Sequence, residues 1–326
     1  MSAAVRGLIL SVALSIGFVQ VPAEADERSA VPRIGVLVPP LANSPYEAGL
    51  RDGLRDLGYT DGKNIAIEWR RSTGTEGELQ SIASELVRAK VDVIVVYGTP
   101  AARGALRATA TIPVVFLSGD PVASGIAASI ARPGGNATGV SGVLTELTAK
   151  RLELLCQVAP RARRIAYLTN SSNPAAAPQR EAAQKAARTL GVQLVYLDAR
   201  NADGLTSALG AISRSAANGV LISGDALLHA NKPRIAQAVR KARLPSVSPY
   251  KDYHEEGVLM SYGPNLIAVG RKLAVYVDKS LKGAKPADLP IEEMSTYELV
   301  ISLRVAREIG ITVPQALLLR ADEVIR

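Results

Sequence analysis

Apolar residues in this chain gather in short runs, and most runs are closed by glycine, proline or a small polar residue. Val91–Tyr97 is one such run. It turns at Gly98-Thr99-Pro100, continues as a helix-like segment from Ala101 to about Ala110, and returns as Val114–Leu117 before Ser118-Gly119-Asp120-Pro121. Two buried-type strands with a helix between them form a βαβ unit, and such units predict a parallel sheet covered on both faces. Ligands of these sheets sit outside the carboxyl ends of the strands. The helix that follows Gly98-Thr99 would point free N–H groups and its positive dipole end into that space, which suits a carboxylate.

The same pattern returns later in the chain. Asn218–Ser223 closes on Gly224-Asp225, a helical stretch covers Lys232–Ala242, and Leu244-Pro245 leads into Ser246–Pro249. The opening strands also correspond, Arg33–Leu37 with Arg164–Leu168, and each is followed by a polar loop and a helix ending in Leu-Gly. Corresponding positions lie 126 to 132 residues apart. The expected fold class is therefore α/β, with two similar Rossmann-like lobes of parallel sheet and a cleft between their strand ends. Lobe 1 is expected to take residues 31–142 plus 263–290, and lobe 2 residues 143–262 plus 291–326. Lys63–Trp69 alternates as an edge strand does, Ala123–Ile130 reads as helical, and Glu298–Leu303 as a last strand.

Composition narrows the reading. A length of 326 residues accommodates two domains. The net charge of +8 is dispersed over helix faces among acidic residues, with no basic stripe carrying aromatics, so nucleic acid is not expected as a partner. At the amino end, Arg6 precedes the apolar segment Gly7–Val21 and then Ala23-Glu24-Ala25. This reads as a secretory leader, residues 1–25, cleaved after Ala25; the segment is short for an uncleaved anchor. A periplasmic location follows as the expectation. Cys156 lies on an amphipathic helix and reads as an apolar packing residue.

Enzyme chemistry finds little support. The chain lacks a G-x-G-x-x-G turn after a strand, a phosphate loop and a nucleophile elbow. Two histidines, His229 and His254, and one cysteine do not make a metal centre, and the histidines read as solvated polar positions. No catalytic residue, metal or cofactor is expected. What remains is a ring of small polar residues at strand ends, Thr99, Ser118, Asp120, Asn170, Ser171, Ser172, Asn173, Asp225, Ser261 and Tyr262, with Pro100 beside Thr99. These would hold a small anionic or zwitterionic molecule. Asp120 or Asp225 would receive an ammonium group, although either equally suits a helix cap. Tyr97, Tyr250, Tyr253 and Tyr262 lie near the same ends, where one or two would stack on a planar ligand.

Eleven segments together resemble a known family. They begin with RIGVL at 33–37, GLRDLGY at 53–59, GKNIAIE at 62–68, GTPAA at 98–102, GDPVASG at 119–125 and ARPGGNATGVS at 131–141. TAKRLELL at 148–155, SSNP at 171–174, LMSYGP at 259–264, VDKSLKGAKPADLP at 277–290 and ADEVI at 321–325 complete the set. In this order the chain resembles the ABC-transporter substrate-binding proteins that include tryptophan- and tyrosine-binding members. The resemblance implies a type I periplasmic-binding-protein fold, two lobes joined by three crossing segments that close on a ligand. It places ligand contacts in the loops at Gly98-Thr99-Pro100, Ser118–Pro121, Asn170–Asn173, Gly224-Asp225 and Ser261-Tyr262, and leaves the ligand open. The function expected is an extracytoplasmic solute-binding protein of an ABC importer, taking an amino acid or an aromatic or carboxylic acid and working as a monomer with an inner-membrane permease. A ligand-presenting sensor module for a membrane receptor is the alternative.

Overall fold

A computed structural model describes residues 31–39, 44–72 and 75–326. The expected leader at 1–25 lies outside the described residues. The first sheet collects β1 (Arg33–Val38), β2 (Ala66–Arg71), β3 (Val93–Tyr97), β4 (Val114–Ser118) and β5 (Ala137–Ser141), all parallel. Between them run α1 (Pro45–Asp56), α2 (Glu76–Arg88) and α3 (Thr99–Ala108). Strands β3 and β4 are buried along their whole length, as a central parallel sheet covered on both faces requires.

The chain then crosses into a second unit of the same kind. It comprises α4 (Leu144–Val158), β6 (Arg164–Thr169), α5 (Ala176–Leu190), β7 (Gln193–Asp198), α6 (Ala202–Ile212) and β8 (Gly219–Ile222). After these come α7 (Ala226–Ala230), α8 (Lys232–Lys241), β9 (Ser246–Ser248), α9 (Tyr253–Glu256) and β10 (Met260–Pro264). Helix α10 (Leu266–Leu281) crosses back and packs on α1. Their close approach depends on glycine: a Cβ on Gly49 would stand 2.1 Å from the Ile267 carbonyl oxygen, and one on Gly270 2.4 Å from that of Tyr46.

Strand β11 (Glu292–Glu293) pairs with β5, and the chain crosses a third time into β12 (Tyr297–Ser302), α11 (Leu303–Ile309), α12 (Gln315–Leu318) and β13 (Glu323–Ile325). The sheets run β11-β5-β4-β3-β1-β2 and β13-β12-β10-β9-β8-β6-β7. β12 lies antiparallel to β10, the exception in otherwise parallel pairings. The α/β, two-lobed, parallel-sheet expectation is met.

Several details differ from the sequence reading. The second and third crossings fall later than positions 263 and 291, because backbone pairing keeps Gly263-Pro264 in the second sheet and Glu292-Glu293 in the first. Ala123–Ile130 is not a helix. Asp120 caps a single turn there, and Gly125 at φ +70 sends the chain out of helical geometry. Cys156 is half-buried against the second lobe's core, consistent with a packing role. The histidines are the largest departure: His229 and His254 are 0 % and 3 % exposed, not solvated. Among the described residues, no helix is long and apolar enough to cross a membrane, and no group of three or more His, Cys, Asp or Glu side chains is placed to hold a metal ion.

Candidate ligand-binding site between the lobes

The carboxyl ends of β3 and β4 meet those of β6 and β8 across a narrow gap. On the first lobe, Tyr97 ends β3 and Gly98 takes φ +94, a left-handed value that glycine adopts without strain. Helix α3 starts at once, and no side chain caps it. Pro100 has no N–H, so the first-turn donors are those of Thr99 and Ala101. Thr99 Oγ1 bonds to Ser118 Oγ at 2.8 Å, and both residues are buried. This wall offers hydroxyls and a positive helix end with no carboxylate among them.

The second lobe supplies the opposite charge. Asp225 follows β8 and caps α7, accepting the Leu228 N–H at 3.0 Å on Oδ1. Its Oδ2 accepts from Asn173 Nδ2 at 2.7 Å and Asn170 Nδ2 at 3.2 Å. Burial pushes this carboxyl above the ordinary carboxylate value; the two amides and the backbone N–H groups pull against that shift. Among the described residues no Lys or Arg pairs with it. The turn before it is held by Gln179, whose side chain donates to the Gly224 carbonyl at 3.2 Å and accepts the Gly224 N–H at 3.1 Å. Buried Arg151 ties the start of α4 to β10, donating to the Leu144 and Tyr262 carbonyls. Burial lowers its pKa to about 10. Sequence reading missed both residues, since their neighbours exist only in the folded chain.

Two cavities, each with about 20 Å³ of water-accessible space, remain in this gap. One is lined by Thr99, Ser118, Asn173, Asp225 and Tyr250, the other by Pro100, Asn170 and Asp225, with Tyr97 common to both. Such a volume takes about one water molecule. An amino acid does not fit until the walls part. A larger cavity of about 490 Å³ lies elsewhere, among Lys251, His254, Asn265 and Glu323. It lacks the facing strand ends and contains none of the sequence-selected residues, so the interlobe gap is the better candidate.

The structure thus gathers Thr99, Pro100, Ser118, Asn170, Asn173, Asp225 and Tyr250 around one gap. Five others fall outside its lining. Asp120 holds the Ala123 N–H at 3.0 Å and the Thr145 hydroxyl at 3.3 Å. Ser171 donates to Asp198 at 2.6 Å, and exposed Ser172 bonds to Asn170 Oδ1 at 2.6 Å. Ser261 is buried against His254 Nε2 at 2.9 Å. Tyr262 packs on the second lobe's core beside Tyr297. Both lie inside β10, on opposite faces of its sheet, rather than in a loop beyond a strand end.

Comparison with known proteins agrees with this geometry. Residues 34–325 match the family model described as ABC transporter substrate binding protein. The chain belongs to that family. It is 26% identical over 255 residues to a tyrosine-binding protein of Clostridioides difficile, covering 78% of this chain and 73% of that protein. A conserved domain protein from Vibrio cholerae superposes with a TM-score of 0.84 at 28% identity, over 90% of this chain and 99% of that one. An ABC domain from Streptococcus pneumonia in complex with L-Trp gives 0.82 at 27% identity, with the same shares covered. Type I periplasmic binding proteins at lower identity share the fold.

Proposed function

We propose that this chain is the extracytoplasmic solute-capturing component of an ABC importer, and that its ligand is an amino acid with an apolar, preferentially aromatic, side chain. One observation carries the reading. Asp225 is a buried carboxylate without a cationic partner among the described residues, and it faces a helix start and two hydroxyls without an anionic one. A buried charge in this state is costly unless a ligand compensates it. A zwitterion compensates both sides at once, with its ammonium at Asp225 and its carboxylate at Thr99, Ala101 and Ser118. The rings of Tyr97 and Tyr250 then flank the side chain. The relatives that bind tyrosine and L-Trp support the same ligand class.

The architecture supports capture by domain closure. Three short crossings join the lobes, and the first contains Val143 at φ +50, a left-handed value rarely adopted by a β-branched residue. Strain at a crossing suits a hinge that relaxes as the gap opens.

A thermal-shift panel tests the reading. L-Trp, L-Tyr and other amino acids are compared with tryptamine, which lacks the carboxylate, and indole-3-propionate, which lacks the ammonium. At 100 times Kd a ligand stabilises the native state by about 2.7 kcal/mol. The complete zwitterion is expected to stabilise most. A panel in which no amino acid or aromatic acid raises the melting temperature overturns the proposal.

A further inference from the structure

His229 bridges the lobes by contacting Tyr97 and Tyr250, which line the gap, without lining it itself. It sits on α7 of the second lobe, four residues after Asp225, and is completely buried. Its Nδ1 lies 2.9 Å from the Tyr97 hydroxyl of the first lobe. Its Nε2 lies 2.7 Å from Asp252 Oδ2, which also receives Lys232 Nζ at 2.8 Å. Tyr250 and Tyr253 enclose the ring, with centroids 4.8 and 5.7 Å away. Tyr46 packs edge-on against the far face of Tyr97 at 5.1 Å. A polar chain of this kind buried across two lobes is satisfied only while they touch; parting them leaves the imidazole and the phenol without each other.

We infer that His229 and Tyr97 form the latch that holds the closed lobes together, with His229 acting as a positioning residue rather than a ligand contact. This rests on the proposed ligand reading in one respect: Asp225 caps the five-residue helix that carries His229. An ammonium drawn to Asp225 therefore seats α7 and, with it, the latch. The lysine–aspartate pair behind fixes the ring, since an Nε2–H donated to Asp252 leaves Nδ1 to accept the Tyr97 hydroxyl. The Tyr97 hydroxyl is thereby engaged by His229 and by the neighbouring Tyr250 hydroxyl, and the ligand meets the ring face.

The chain has only two histidines, so imidazole nitrogen spectra of ¹⁵N-labelled protein give a direct readout. They are recorded with and without L-Trp on wild type and Tyr97→Phe. The His229 Nδ1 resonance is expected to move in Tyr97→Phe, while His254, bonded to Ser261 within the second lobe, stays put. X-ray scattering is expected to show a larger radius of gyration for Tyr97→Phe and His229→Gln than for wild type under the same conditions. In stopped flow with L-Trp, each variant is expected to dissociate roughly three- to tenfold faster at an unchanged association rate, the range of one net hydrogen bond. The double variant should dissociate no faster than the worse single one.

If L-Trp fails to bind wild type, the aromatic ligand reading fails alone, and the spectra and scattering still decide the latch. If His229→Gln does not fold, Tyr97→Phe carries the test. An Nδ1 resonance and a radius unmoved by Tyr97→Phe in both conditions overturn the inference, as do fully additive rate effects.

Discussion

Across the gap, β3 and β4 present hydroxyls and an uncapped helix start, whereas β6 and β8 present a carboxylate already ringed by amides. The two lobes share a fold but divide the electrostatic work. The first offers donors with few internal bonds. The second offers an acceptor whose hydrogen bonds are mostly satisfied but whose charge is not. Duplicated architecture therefore need not mean duplicated chemistry: strand ends of the same kind acquire opposite polarity from one or two side chains each. The histidines extend the contrast, because both belong to the second lobe and both are buried there.

The sharpest way to break this comparison is Asp225→Ala. It should weaken a zwitterionic ligand by about 3 kcal/mol, more than a hundredfold, in calorimetry. The variant should also lose discrimination between L-Trp and indole-3-propionate, since the missing ammonium then matters little. Retained discrimination would move the cation site off the second lobe.

Next comes acid. Burial lowers the His254 pKa to about 4 from an ordinary 6.5. The unfolded chain therefore takes up a proton before the folded one does, and stability falls as the pH drops from 6.5 towards 4. The full loss is about 3 kcal/mol. Urea melts across that window check it, and His254→Gln should flatten the slope. Asp252 acts lower down. Burial alone would raise its pKa, but His229 and Lys232 outweigh that and hold it at about 2. Its contribution is present above pH 4 and disappears as the pH falls through 2.

On the first lobe the expected effects are smaller. Ser118→Ala removes one hydroxyl of a neutral pair and should cost the carboxylate end about 1.4 kcal/mol, a tenfold loss that tryptamine should not share. Smallest is Asp120→Ala. That carboxylate caps a turn and meets Thr145, so the melting free energy should drop by about 1 kcal/mol while ligand affinity stays within about twofold. A larger affinity change would place Asp120 back among the ligand contacts.

Much of this was legible in the chain because it is periodic or local. Buried runs such as Val93–Tyr97 and Val114–Ser118, closed by Gly98 and Gly119, announce parallel strands and their carboxyl ends. The offset repetition announces two lobes. Thr99, Pro100, Asn170, Asn173 and Asp225, which follow β3, β6 and β8, border one gap, since a parallel sheet sends consecutive strand ends to the same side. Caps such as Asp225 were also readable, because a cap is bonded within three residues of itself.

What the chain alone decided is the list of elements, their order and the side of each sheet that carries the loops, all governed by contacts a few residues apart. Only the tertiary structure decided that Ser261 and Tyr262 lie inside β10 rather than beyond a strand end, that Gln179 and Arg151 brace the gap, and that His229 lies buried between Tyr97 and Asp252. A lone histidine in a polar loop carries no periodic mark of burial. Its partners stand 132 and 23 residues away, and no short-range rule of hydrophobic pattern or capping reaches across that distance.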